Sequence, residues 1–368
     1  MDISENFRIY STPENWLEGD AVAQFKQVAA WEGIIAGAGF PDLHPGRGIP
    51  VGAAFISSNI IYPALIGSDI GCGMTLAISD LPVRKWKTER ILRALGDDPE
   101  SRLRQSALRV LDDMPESVED AAGMLGTLGH GNHFAEFLSV ESVEDETLAA
   151  QIGLERDKIY LLVHSGSRNY GDRLWREFAA EHAHNGVEAD SAAGQRYLSG
   201  HDRLLAWSKF NRDLIVRALS DIAGCNFNTL CESVHNSITP LADGKFLHRK
   251  GAAAADGNQA VLIAGSRGSY SYLVMPQGDS AEYCYSLAHG AGRKWNRLST
   301  RLRMRGKYSV QELQKSRLGC RVLCPDKDLL FEETPDAYKN IERIIRDLQE
   351  FKLIKVIARF CPKLNCKP

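Results

Sequence analysis

Apolar residues recur at spacings of three and four over about 84–114, 172–236 and 338–354, the signature of helices that bury one face. Between them lie glycine-rich segments at 33–80, 123–138, 159–171 and 246–274, whose short β-branched runs predict strands joined by tight turns. The clearest strand is Lys158-Ile159-Tyr160-Leu161-Leu162-Val163, which leads directly into His164. His235 closes the second helical stretch in this pattern. No Pro/Ser run, charge block or internal repeat marks a linker. The expectation is an α+β fold, a single large mixed domain over residues 1–368 whose glycine-rich strand-end loops form a central cleft.

Composition narrows the class. With 368 residues, 44% hydrophobic and 25% charged, the chain is neither disordered, collagenous nor a disulfide scaffold. A net charge of −3 argues against a protein that coats nucleic acid non-specifically, and leaves room for a local basic groove. Asp2, Glu5 and Arg8 interrupt the first ten residues, so no signal peptide is expected. The uncharged stretch Gly48 to Ser68 is broken by Pro50 and Pro63, which favours strands and turns over a membrane span. Eight cysteines scattered along so long a chain suggest reduced thiols and a cytoplasmic setting. The pairs Cys320/Cys324 and Cys361/Cys366 lack zinc-finger partners and are expected to be ordinary thiols.

Chemically versatile residues concentrate in the glycine-rich segments, where the backbone can approach a ligand closely. Asp69 and Cys72 fall in Ser68-Asp69-Ile70-Gly71-Cys72-Gly73, at a strand end and turn, although a buried Cys alone is most often packing. In Gly129-His130-Gly131-Asn132-His133-Phe134-Ala135-Glu136, two histidines three apart precede a glutamate, an arrangement open to metal, to phosphate or to local hydrogen bonds only. His164 ends a strand before Ser165-Gly166-Ser167-Arg168, and His235 stands beside Asn236. Asp69, Cys72, His133, His164 and His235 make a mixed S/N/O donor set that suits zinc or manganese rather than calcium or magnesium. A thiolate beside a carboxylate can also serve two adjacent ions. His182, His184 and His201 lie in polar helical sequence and are expected at the surface, with His130 in a structural or supporting role. Downstream, Ile263-Ala264-Gly265-Ser266-Arg267-Gly268-Ser269 has amides able to form a phosphate nest. In Ser286-Leu287-Ala288-His289-Gly290-Ala291-Gly292-Arg293 a histidine stands among small residues with an Arg four positions on. Such an imidazole can attack phosphorus; a helix-capping His is the alternative from that segment alone.

Taken in order, Pro41-Asp42-Leu43-His44-Pro45-Gly46, Asp69-x-x-Cys72-Gly73, Gly131-Asn132-His133-Phe134-x-Glu136, His164-Ser165-Gly166-Ser167-Arg168, His235-Asn236, His248-Arg249-Lys250-Gly251-Ala252, Gly265-Ser266, His289-Gly290-Ala291-Gly292-Arg293 and Pro335-Asp336-Ala337-Tyr338-Lys339 resemble the RtcB family of GTP-dependent RNA ligases. The resemblance runs from about residue 40 to the end. It implies an RtcB-like fold with a central metal and nucleotide cleft, and an enzyme that joins RNA 2′,3′-cyclic phosphate or 3′-phosphate ends to 5′-hydroxyl ends. It also implies that Asp69, Cys72, His133, His164 and His235 hold two Mn²⁺ ions, and that His289 takes GMP from GTP as a phosphoramidate. By the same resemblance Asn132, Glu136, Asn236, Ser266, Gly290, Arg293, Tyr338 and Lys367 contact the guanylate. The implied substrate is RNA with broken ends, transfer or ribosomal, in RNA repair; protein partners are left open, and no membrane is involved.

The chain departs from the family at Ala264-Gly265-Ser266-Arg267, where Pro-Gly-Ser-Met is common, and at Lys367-Pro368, where Lys-Gly is usual. Trp295 and Asn296 replace smaller residues, and the chain is short, similar to a divergent bacterial branch encoded beside release factor H. Two other functions fit the same residues: a metal-dependent phosphoesterase that opens RNA cyclic phosphates without ligating, and a non-catalytic RNA-binding paralogue. The charge is uneven as well. Residues 245–323 carry fourteen cationic against four acidic side chains, and seven cations with no acid fall between Arg293 and Lys307. That run is either a solvated helix face or a phosphate-tracking surface beside His289.

Overall fold

The computed structural model describes residues 1–111, 123–182, 185–257 and 259–367, and mixes helices with sheets as the periodicity predicts. Among the described residues the strands form two large sheets. One runs, in spatial order, Asp2–Ser4, Phe7–Ile9, Ile34–Pro45, Pro50–Ser58, Lys245–Lys250 and Asn236–Pro240. The other runs Phe227–Val234, Gly73–Pro82, Lys158–Ser165, Phe134–Val143, Ile354–Cys366, Ser271–Pro276 and Val261–Ile263, with Arg321–Leu323 alongside Ile354–Cys366.

The apolar run at Lys158–Ser165 is buried from Ile159 onward because both its faces are covered. Leu161 and Val163 pack with Phe137 against Trp207 and Leu214 of the helix Ala192–Ala223. Tyr160 and Leu162 pack on the other side with Leu138, Leu273 and Phe360. Each such buried side chain contributes roughly 1.5–3 kcal/mol, so this sheet is a firm base for the polar loops at its rim.

The helical stretch expected over 172–236 ends sooner. Arg168–His182 and Ala192–Ala223 are helical, and Gly224, at φ 64°, returns its N–H to the Ser220 carbonyl at 2.8 Å to close the second. Phe227–Val234 then pairs as a strand with Gly73–Pro82, so His235 stands between two strands and not at a helix end. The 84–114 pattern splits into Thr88–Leu95 and Pro99–Arg109, parted by Gly96 and by Pro99 in the first turn; residues 112–114 lie outside the described residues. In the third stretch the helix is Ile341–Glu350. Ile354–Cys366, which carries no helical or alternating expectation, is the long strand between Phe134–Val143 and Ser271–Pro276.

His201 corrects a surface expectation. It is wholly buried, and its Nε2 accepts the Ile238 N–H at 3.0 Å, tying the long helix to the first sheet. His182 is half-buried against the Phe178 ring, and His184 lies outside the described residues. None of the eight cysteines is in a disulfide. Among the described residues no helix is long and apolar enough to cross a membrane.

Candidate active site

Strand register assembles the donor cluster. Gly73 pairs with both Val234 and Ser165, while His164 pairs with Met74 and Phe134. The starts of two strands and the ends of two others therefore share one sheet edge, which brings Cys72, His133, His164 and His235 together from positions far apart in sequence. The helix Ala192–Ala223 fixes the loops from below through a buried polar face. Arg212, with no exposed surface, donates to the Gly71 carbonyl at 2.8 Å and the Ser165 carbonyl at 3.0 Å, and pairs with Glu232 at 2.6 Å. Asn211 accepts the Gly126 N–H at 2.8 Å and donates to the Thr127 carbonyl at 3.0 Å. Gly71 is obligatory at its φ of 72°, since a Cβ there would meet Ser208 Oγ at 2.7 Å.

Cys72 Sγ lies 3.3 Å from His133 Nε2 and 3.2 Å from His164 Nε2. His164 Nε2 is 3.2 Å from His235 Nε2, and His133 Nε2 is 2.9 Å from Asp69 Oδ2. All five expected ligands thus form one continuous cluster. Ligand bonds of about 2.0–2.3 Å give ligand–ligand edges of roughly 3.4 Å, so these spacings fit a coordination shell. His164 Nδ1 donates to the Asn132 carbonyl at 3.1 Å, which leaves Nε2 with its lone pair free for a cation. Burial drives His164 and His235 well below the usual imidazole range, keeping them neutral, as ligands must be. Burial also lifts the Cys72 thiol, so its ionisation calls for a neighbouring cation. The residues present fit a bound metal.

His289 follows the short strand Ser286–Ala288, and its ring centroid is 4.8 Å from that of His235. Its Nδ1 lies 2.8 Å from Asp42 Oδ2, and its backbone N–H donates to the same oxygen at 3.2 Å. Asp42 is fully buried, and His44 donates from Nδ1 to the Asp42 carbonyl at 2.8 Å. Burial pushes His44 down to about 4. Neither residue had been singled out as functional, although both fall in the Pro41–Gly46 motif.

A cavity opens beside His289, and Asn132, Ser266, Gly290, Arg293, Tyr338 and Lys367 all line it. Glu136 stands behind this wall, accepting from Asn365 Nδ2 at 2.8 Å, and burial raises it to about 8. Asn236 sits beside the donor cluster, bonded to the Asp69 carbonyl and the Gly251 N–H. One organising carboxylate escaped the sequence. Glu333 is buried, pairs with Arg293 at 2.8 Å, lies 3.7 Å from Lys367, and accepts from the Tyr338 hydroxyl. Burial opposes its ionisation, but Lys367, Arg293 and Arg297 hold it at about 2. Nothing in the sequence separates Glu333 from Glu332 beside it.

Three expectations change here. The Gly265–Ser269 turn is no fully open nest, since hydroxyls in and beside it take two of its amides: Gly265 donates to Ser271 Oγ and Ser266 to Ser269 Oγ. His130, expected in a structural or supporting role, is exposed at the turn. In the basic run, Arg301 and Arg305 bind Asp328, Lys307 binds Asp336, and Arg293 and Arg297 bind Glu333. Lys294 and Arg303 instead face the Trp295 ring, and Asn296 caps the helix Arg297–Arg305. Pro368 lies outside the described residues.

A family model described as tRNA-splicing ligase RtcB matches residues 24–114 and 97–368. An Escherichia coli protein named RNA-splicing ligase RtcB2 is 38% identical over 359 residues, covering 96% of this chain and 93% of that protein. The tRNA-splicing ligase RtcB of Archaeoglobus fulgidus is 29% identical over 440 residues, covering 94% and 90%. An RNA-splicing ligase RtcB of Mycobacterium tuberculosis is 27% identical over 433 residues, covering 93% and 99%. Matched along almost its whole length by that model and by these relatives, the chain belongs to the RtcB family.

Proposed function

We propose that this chain is an RNA ligase that joins 2′,3′-cyclic phosphate or 3′-phosphate ends to 5′-hydroxyl ends, using GTP and two Mn²⁺ ions, with residues 1–368 acting as one ligase unit. The observation that carries the proposal is the approach of His289, whose Nδ1 lies 2.8 Å from Asp42 Oδ2, to the Asp69/Cys72/His133/His164/His235 cluster: its ring centroid lies 4.8 Å from that of His235, and it lines one cavity with His164. Family membership supports the RNA ligase activity; the nucleotide, the metal and the residue roles are those the resemblance implies, and the donor cluster and the polar lining of the cavity are compatible with them.

With Nδ1 turned to Asp42, the Nε2 lone pair of His289 is free to attack the α-phosphorus of GTP. The N–P bond forms as the P–O bond to pyrophosphate breaks. A 2′,3′-cyclic end is first opened by water to the 3′-phosphate; an oxygen of that phosphate then takes GMP as the N–P bond to His289 breaks, and the 5′-hydroxyl displaces GMP to form the new phosphodiester. Asp69, Cys72, His133, His164 and His235 would hold the ions, which would neutralise phosphate charge and supply Lewis acidity. Arg293, Lys367 and Tyr338, tied together by Glu333, form a rigid polar wall for the guanylate, while Lys294 and Arg303 are the cations of the basic run left to meet RNA phosphates. The setting is RNA repair in the cytoplasm.

Incubation with labelled GTP and Mn²⁺ should leave an acid-labile, alkali-stable label on the wild type and none on His289→Ala, and the wild type should join RNA with the stated ends. No label, or label persisting on His289→Ala, overturns the assignment. Opening of cyclic phosphates with metal alone and no joining would instead show a phosphoesterase.

A further inference from the structure

Arg267 lies in the turn between Val261–Ile263 and Ser271–Pro276 and is 5% exposed. Its Nη2 donates to the Leu330 carbonyl at 2.8 Å, in the helix Lys327–Glu332. Its Nη1 is buried and has no hydrogen-bond partner, and among the described residues no carboxylate pairs with it. The nearby acid, Glu333, is already engaged by Arg293, Arg297 and Lys367. A guanidinium does not shed its proton in a protein, so a buried donor of this kind carries an uncompensated desolvation cost until an acceptor arrives.

Arg267 lines the cavity beside His289 and also a second one walled by Tyr308, Lys315, Thr334 and Asp336; the first is the one it shares with His289, and so the one through which a ligand held at His289 can bring it an acceptor. The two residues face different surroundings. His289 lies against Asp42 and the His235 ring, at the donor cluster, whereas Arg267 is bonded to Leu330 of the helix Lys327–Glu332. One end of the cavity is thus the imidazole and metal end, and the other is the guanidinium end. A nucleotide with its phosphates at His289 puts its base toward Arg267.

We propose that Arg267 is a specificity-determining residue: its free Nη1 donates to the acceptor edge of guanine, O6 or N7, and selects guanine over adenine. Adenine presents an amino donor where guanine presents O6, so a guanidinium there meets a donor and stays unsatisfied. This inference rests on the ligase reading only for the placement of phosphate at His289.

The test uses the full chain with Mn²⁺ as wild type, Arg267→Met and Arg267→Lys. Equilibrium dissociation constants for GTP and for ATP are measured by calorimetry, and His289 labelling is followed from each nucleotide in parallel. The wild type should prefer GTP, and Arg267→Met should narrow the GTP:ATP preference about 10- to 100-fold, mainly through weaker GTP binding. Arg267→Lys, which keeps the charge and one compact donor, should fall between. Loss of the Leu330 cap alone would weaken both nucleotides alike, so the ratio separates base reading from a structural role. A ratio unchanged within about twofold in Arg267→Met, or in Arg267→Lys if the methionine variant does not fold, overturns the proposal, as does absence of nucleotide binding. Arg267-dependent preference for GTP without any label on His289 would uphold it and fault the ligase chemistry. Normal labelling with an unchanged ratio would do the reverse.

Discussion

Replacing Arg212 by methionine removes one guanidinium that serves two loops of the donor cluster at once. The wild-type side chain is fully buried, donates to the Gly71 and Ser165 carbonyls, and pairs with Glu232 at 2.6 Å. Methionine refills part of the volume but restores none of these bonds. Stripping the cation from a buried pair costs about 3–5 kcal/mol. Glu232 keeps Lys209 and an 18% exposed side chain, which favours the lower end of that range, about 3 kcal/mol. Urea unfolding of the metal-free protein measures this loss. Since Gly71 belongs to the Asp69–Cys72 turn and Ser165 follows His164, Mn²⁺ affinity should fall in the same variant.

A double-mutant cycle with Glu232→Gln separates the pair from the carbonyl contacts, and the coupling should be about 1–3 kcal/mol. The pair also has a pH signature. Burial opposes ionisation of Glu232, but Arg212 and Lys209 hold its carboxyl below the usual range. Its contribution is therefore present above the ordinary glutamate value, near 4.5, and is lost as pH falls through the lowered one, so wild type and Arg212→Met should converge in acid. A loss under about 1 kcal/mol at neutral pH, or unchanged metal affinity, refutes the view that Arg212 positions the two loops.

Cys72→Ser should abolish the thiolate-to-metal charge-transfer band of the Co²⁺-loaded protein while the fold, followed by circular dichroism, persists; a retained band would remove Cys72 from the ligand set. Glu136→Gln should stabilise the metal- and nucleotide-free protein increasingly with pH. The folded chain holds Glu136 protonated up to about 8, whereas the unfolded chain ionises near 4.5, so the unfolded state binds fewer protons between these values and wild-type stability falls as pH rises. The variant escapes that fall, at most about 1.4 kcal/mol per pH unit, and parallel stability curves would refute the shift. Neutralising Lys294 and Arg303 together should weaken RNA joining and flatten its salt dependence while sparing guanylation, whereas Arg301→Gln with Arg305→Gln should mainly lower the melting temperature; the opposite division would reassign the RNA contacts.

The donor cluster was legible because its residues sit where sequence signals are strongest, at the ends of apolar strands beside glycines. What the sequence withheld was register. Only the pairing of Gly73 with Val234 and Ser165 explains why His235 joins His164, and a helical reading of 172–236 hid the strand that carries it there. Thr229, Cys231 and Ser233 alternate poorly in polarity, and the strand is partly exposed, so neither period stands out. His201 was misplaced for a related reason. Its neighbours in sequence are polar, but Tyr197 and Leu204, four before and three after, lie buried on the same helix face.

Charge was the least legible property because its meaning depends on tertiary partners. A count over 245–323 stops three residues short of Asp326, and residues 326–336 then supply five carboxylates against one lysine. Those acids fold back onto the basic run: Asp328 meets Arg301 and Arg305, Asp336 meets Lys307, and Glu333 meets Arg293 and Arg297. Most of what looked like an RNA-binding stripe is therefore internal neutralisation, with exposed pairs each contributing little on their own. Arg267 is the converse case. It stood out in the sequence only as a departure from the family, and its significance comes from burial without a carboxylate, in a cavity whose other cations are paired. A charge that the fold neutralises holds structure together, whereas a charge that the fold buries and leaves unmet reports on what the cavity binds.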